Sequence, residues 1–263
     1  MHYHAVIAAM AIAFGLCNAC IHAAEPKPLK ALLVTGGCCH DYASQKLILT
    51  EGITARANVE WTIVHEGGTS TDHRVSIYEK PDWGKDYDVV VHNECFAKVT
   101  DPAFVENVAA AHRNGLPCLV IHCTMHTFRD LQEDTWRELL GVTTRRHERQ
   151  HPLEIRNLKP DDAVMYGFPE TWKTGDEELY VIEKLWPNTV PLAQGYGVDT
   201  KADHVVIWKN TYGKGRVFGT TLVHHSHHMR EPVYLDLVTR GLLWACDKLD
   251  SSGKPVEGYG PKK

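Results

Sequence analysis

Residues 117–129 read PCLVIHCTMHTFR. The four residues Cys118–Ile121 are uniformly apolar, as expected of a strand buried on both faces, and a polar, histidine-bearing stretch follows at once. The same grammar recurs upstream. Lys30 to Thr35 (KALLVT) ends in Gly36-Gly37, Val59 to Val64 (VEWTIV) follows a helical pattern over Tyr42 to Ala57, and Asp88 to Val91 (DVVV) precedes a helix over Pro102 to Asn114. Asp101 caps that last helix and Gly115 stops it. Strands alternating with helices predict right-handed crossovers and an α/β, doubly wound, mainly parallel sheet.

Beyond residue 150 the pattern changes. Leu153 to Arg156, Glu178 to Glu183, Thr189 to Ala193, Val205 to Trp208 and Arg216 to Thr221 are β-like with few helices between them, which predicts antiparallel additions in the C-terminal half. Gly213-Lys214-Gly215-Arg216 reads as a hairpin turn, since the spacing and following helix of a phosphate loop are absent. Val233 to Leu249 carries an apolar stripe and closes the domain as a helix on the sheet.

The chain has 263 residues, 43% hydrophobic and 23% charged, enough to bury a sizeable core in one domain. Twenty-eight Lys and Arg against 33 Asp and Glu give a net charge of -5, and no basic stripe tracks a phosphate backbone, so nucleic acid is not an expected partner. Ala5 to Leu16 is an apolar run followed by small residues and Glu25-Pro26-Lys27-Pro28. It is too short to span a bilayer and predicts a signal peptide over residues 1–24, with export to the periplasm or beyond the cell. The domain proper is then 25–250, with a Gly-, Pro- and Lys-rich tail over 251–263 expected as an arm. No membrane span is expected, and a homo-oligomer is left open. Of eight cysteines, Cys17 and Cys20 fall in the leader, and the spacing of the others fits neither a zinc ribbon nor a disulfide scaffold.

The unusual number is 17 histidines. Ligands in open α/β sheets bind beyond the carboxyl ends of the strands, and those ends bring His40, Asp41, Glu94, Cys95, His122, Cys123, His126, His224 and His225 to one rim. Taken in order, GGCCHDYASQ (36–45), YDVVVHNECFA (87–97), IHCTMHTFRD (121–130), GDEELYVIEKLWPNTVPLAQGYG (175–197), YGKGRVFGTTLVHH (212–225) and YLDLVTRGLLWACDKLD (234–250) resemble the ThuA-like family, named for trehalose utilisation, from Leu32 to Gly260. The resemblance implies a class I glutamine amidotransferase-like, flavodoxin-related fold and a role in processing sugars alongside sugar dehydrogenases.

In that fold a nucleophilic Cys sits on a strand-to-helix elbow, and here the register puts His122 on that position with Cys123 one place later. His224 resembles the late-strand catalytic His, but His225-Ser226 stands where Pro-Glu would follow, which argues against glutamine hydrolysis. Catalysis is therefore expected from His122, His224, Glu94 and Cys123. A divalent metal, zinc by preference, is expected on His122, His224 and Glu94. The candidate sugar contacts are Gly36, Gly37, His40, Asp41, Tyr42, His126, Asp176, Glu177 and His225. The resulting expectation is enolisation of an oxidised, 3-keto disaccharide or glycoside, with isomerisation or glycosidic cleavage. A hydrolase pairing Cys123 with His224 and a non-catalytic carbohydrate-binding protein are the alternatives.

Overall fold

The computed structural model describes residues 1, 2 and 27–262, so the leader expected over residues 1–24 lies almost wholly outside the described residues. A nine-stranded sheet runs through the molecule. Its parallel part consists of β1 (Leu29–Gly37), β2 (Val59–His65), β3 (Val89–Cys95), β4 (Cys118–Ile121) and β11 (Gly215–Thr220), in the spatial order β2-β1-β3-β4-β11. Helices α1 (Tyr42–Thr54) and α2 (Pro102–Arg113) make the crossovers, and α5 (Pro232–Ala245) packs beside α1. Two apolar layers result. Leu33, Val91, Leu119 and Ile121 face α1 and α5, while Leu32, Val34, Val90 and Val120 face α2. Uniformly apolar strands are the consequence of that double burial.

The sheet continues antiparallel through β10 (Asp203–Tyr212), β9 (Val190–Tyr196), β6 (His151–Asn157) and β7 (Thr171–Glu177). The β10–β11 turn holds Gly213 at φ 58°, where a side chain would meet the Arg113 carbonyl. Two strands were not expected from the sequence: β7 itself and β5 (Val142–His147). β5 pairs with β8 (Tyr180–Leu185) as a separate two-stranded ribbon, linked to β4 through the short helix α3 (Thr135–Leu140). Trp208 is core, with its indole N–H donating to the Leu140 carbonyl at 2.7 Å.

Three expectations need correction. β3 runs on through His92-Asn93-Glu94-Cys95 instead of stopping at Val91, because its polar residues find partners inside the fold. β1 likewise runs through Gly36 and Gly37. A Cβ on either would strike the Glu66 or Cys95 carbonyl at 2.0 and 2.3 Å, so these glycines serve strand packing, and the N–H of Gly37 is taken by Gly68 O. The tail is docked, not free: the Asn58 N–H donates to Tyr259 O at 3.1 Å and its amide to Gly258 O at 3.1 Å. No helix among the described residues is long and apolar enough to cross a membrane.

Candidate active site

Three strand ends deliver three imidazoles, and at each the backbone makes a turn that side-chain-bearing residues seldom make. Cys39 (φ 88°) precedes His40 after β1, His122 itself (φ 45°) is the elbow after β4, and Val223 (φ 79°) precedes His224 after β11. A β-branched residue such as Val223 in that region is a true outlier, and such positions collect at functional sites. The turns aim the rings at one another. His40 lies 4.8 Å from His122 and 4.7 Å from His224 between ring centroids, and one ligand atom from each of the three falls within 4.8 Å of the others.

The hydrogen bonding of these rings is one-sided. His122 Nδ1 lies 2.7 Å from the Thr221 carbonyl, which can only accept, so Nδ1 carries the proton and Nε2 keeps a lone pair. Nε2 of His122, Nδ1 of His40 and Nδ1 of His224 are all buried atoms without a hydrogen bond. A ring that donates one N–H to a carbonyl and presents the other nitrogen bare has the orientation of a metal-ligating histidine. Two nitrogens on one zinc stand no more than ~4.2 Å apart, so a spread of 4.8 Å closes with ring movements below an ångström. The residues present fit a divalent cation.

Glu178, between β7 and β8, completes the cluster. Its carboxylate oxygens are 3.2 Å from His224 Nδ1, 3.5 Å from His122 Nε2 and 3.6 Å from His147 Nε2. Burial alone would raise its pKa, but the imidazoles of His122 and His224 outweigh that and hold the carboxyl well below its usual range. The reciprocal effect raises His122 despite burial. Glu178 is thus an anion at neutral pH and a weak base.

Glu177, its neighbour, does something else. Its buried carboxylate accepts the His224 backbone N–H at 2.7 Å and pairs with His228 Nδ1 at 2.5 Å, clamping the segment that carries His224. Asp176 is exposed on β7 opposite Pro152 and does not reach the cavity.

The cavity above this cluster measures about 190 Å³. That is below the ~300–1,000 Å³ of ordinary ligand pockets, so one sugar ring or less is enclosed. His40 and His224 line it, with Cys38, Cys123, His126, Glu178 and Tyr180, and Lys98, Arg129 and His147 stand around its mouth. His126 stacks on Tyr180 at 4.5 Å with 12° between planes, and its Nε2 is also unpartnered. Burial lowers its pKa, which leaves a neutral imidazole beside the cavity. The Cys123 thiol is held well below its usual pKa, first by the Cys95 thiol against it and then, against the effect of burial, by His126 and His40.

The remaining expected residues are placed elsewhere. Glu94 lies on the α2 side of β3, where Oε1 is 2.9 Å from His92 Nδ1 and 3.2 Å from the Tyr78 hydroxyl. It therefore does not share a pocket with His122 and His224, because in-strand alternation turns it to the other face. Asp41 caps α1 through the Ser44 N–H, Tyr42 is buried against Cys95 and Cys123, and His225 is the residue before α4 (Ser226–Met229). Residues that the sequence did not single out are Glu178, His147 and Tyr180. A strand end at β5 would have announced His147, and the inward phase of Glu177 would have left Glu178 as the acid past the strand.

A parallel sheet in flavodoxin order, an elbow after its fourth strand and a polar rim at the carboxyl ends define the class I glutamine amidotransferase-like domains. Within that class the chain belongs to the ThuA family, described as trehalose utilisation, whose match covers residues 30–245. A ThuA-like protein from Parabacteroides merdae superposes with a TM-score of 0.67 at 16% identity, over 90% of this chain and 98% of that one. A second, from Bacteroides uniformis, gives 0.63 at 12% identity over 88% and 96%. A GMP synthase component from Thermoplasma acidophilum gives 0.51 at 13% identity over 84% and 96%. No curated protein matches the chain in sequence.

Proposed function

We propose that this protein is a sugar-processing enzyme that acts on an oxidised, 3-keto disaccharide or glycoside, with a divalent cation, zinc by preference, held by His40, His122 and His224. The observation that carries the reading is the convergence of three bare imidazole nitrogens at three strand ends. When bound, the cation supplies a Lewis acid for the ketone oxygen. The chain's own residues do the rest. Glu178 balances the charge of the cluster and fixes the rings of His122 and His224. His126, neutral and with Nε2 free, takes the C2 proton that the neighbouring ketone has acidified and returns it to the departing C1 oxygen or to carbon. The small cavity encloses the keto ring, while the second sugar or aglycone extends past Lys98 and Arg129. A hydrolase pairing Cys123 with His224 has less support, since His224 Nδ1 faces Glu178 and the neighbours of Cys123 are Cys95, His126 and His40.

Elemental analysis of the purified protein, paired with an assay on a 3-keto disaccharide before and after chelation, tests this. We expect one transition-metal ion per chain and loss of turnover that zinc restores. Metal-free protein with full turnover, or metal-loaded protein inert towards keto-sugars, would overturn it.

A further inference from the structure

Four sulfur atoms stand together in one wall of the cavity. Cys38 and Cys39, just past β1, are joined to each other as a disulfide. Cys95, the last residue of β3, has its Sγ 3.9 Å from that of Cys38, and Cys123 has its Sγ 2.7 Å from that of Cys95. All four border the cavity. Cys118 and Cys246 lie apart from this row, the first beside His92 and His112 and the second near the Asp88 carbonyl.

A disulfide set in line with a thiol pair is the starting arrangement for thiol–disulfide exchange, in which one sulfur attacks another and a third leaves. We propose that this wall is a thiol–disulfide exchange centre, in which the bond moves between Cys38–Cys39 and Cys95–Cys123. In the first step Cys95, as the thiolate, bonds to Cys38 Sγ. The Cys38–Cys39 bond breaks, and Cys39 leaves and takes up the proton that Cys95 gave. In the second step Cys123, as the thiolate, bonds to Cys95 Sγ. The Cys38–Cys95 bond breaks, and Cys38 leaves with the proton from Cys123. Two electrons have then passed from the Cys95/Cys123 pair to the Cys38/Cys39 pair, and no outside oxidant is consumed.

The outside partner is a low-molecular-weight thiol. Cys39 is exposed and Cys38 half-buried, whereas Cys95 and Cys123 are buried, so a small thiol enters at Cys39. It bonds to Cys39 Sγ and releases Cys38, and a second thiol molecule frees Cys39, leaving two protein thiols and one small disulfide. Cys39 precedes His40 and Cys123 follows His122, so the location of the bond sets the backbone next to two of the site's three imidazoles.

The test maps the linkages. Full-length protein is equilibrated with reduced and oxidised glutathione, trapped with N-ethylmaleimide, unfolded and digested with trypsin. Cys38 and Cys39 then share one peptide, Cys95 lies on a second and Cys123 on a third. The expected result is both linkages in the wild type, Cys38–Cys39 within its peptide and Cys95–Cys123 as a cross-link, in a proportion that returns after partial reduction. In Cys123→Ser the second step is blocked, so a Cys38–Cys95 cross-link rises from a trace to a major species. Wild-type protein in which Cys38–Cys39 is the sole linkage, or in which all four cysteines are alkylated at every glutathione ratio, overturns the proposal whether or not the variant folds. So does folded Cys123→Ser with no Cys38–Cys95 cross-link.

Discussion

Two histidine clusters lie within this sheet, and they differ in what their nitrogens have found. His92, His112 and Cys118 bring ligand atoms as close together as His40, His122 and His224 do. Yet the first set is fully buried and closed. His112 Nδ1 is 2.8 Å from the Leu116 carbonyl and must donate to it, so its Nε2 accepts from His92 Nε2 at 3.1 Å. His92 Nδ1 then shares one proton with Glu94 Oε1. Every ring nitrogen has a partner. In the second set one nitrogen of each ring has none and the rings border a cavity. Histidines gathered together do not make a site; unspent lone pairs do.

The largest expected effects separate the clusters directly. Replacing His122 or His224 by Ala should lower keto-sugar turnover by at least ~10³-fold and release bound metal. Thermal unfolding should shift little, because the rim adds less packing than the core below it. His112→Ala should do the reverse: about 2–4 kcal/mol of stability lost from a buried network left with unpaired groups, with turnover per folded molecule retained. If His112→Ala abolished turnover at unchanged stability, the contrast drawn between the two clusters would collapse.

A pH series sharpens the same contrast. Burial, with His92 beside it, holds His112 down to about 3 in the folded protein, against ~6.5 when unfolded. Between those values the unfolded chain binds the proton and the folded one does not, so stability is complete above pH 6.5 and falls as the pH drops towards 3. The loss at pH 5 is about 2 kcal/mol, read as a lower urea midpoint. His112→Gln should flatten that slope.

Much of the fold was legible. The apolar runs at Lys30 to Thr35, Val59 to Val64, Asp88 to Val91 and Cys118 to Ile121 are all strands of the parallel sheet, since burial on both faces leaves an unmistakable pattern. The end of β3 was not legible: His92 and Asn93 read as polar loop, but Glu94 and Gln45 satisfy them within the core. At the site, three strand-end histidines could be read from their position after apolar runs. Glu178 could not, because choosing it over Glu177 depends on where β7 ends, and a one-residue change of phase exchanges the two roles.

The smallest expected effect concerns that exchange. Glu177→Gln keeps an oxygen for the His224 N–H but loses the charge that faces His228. A drop of about tenfold in turnover, with stability down by ~1 kcal/mol, fits a clamp. A complete loss would move Glu177 into the reacting set.

The docked tail bears on how the molecule can be handled. Gly258 and Tyr259 are tied to Asn58, which stands just before β2, at the amino ends of the parallel strands. The cavity opens at their carboxyl ends. An affinity tag, surface linker or fluorophore attached through this tail therefore leaves from the pole opposite the cavity, and protein immobilised that way presents its mouth to the bulk solution.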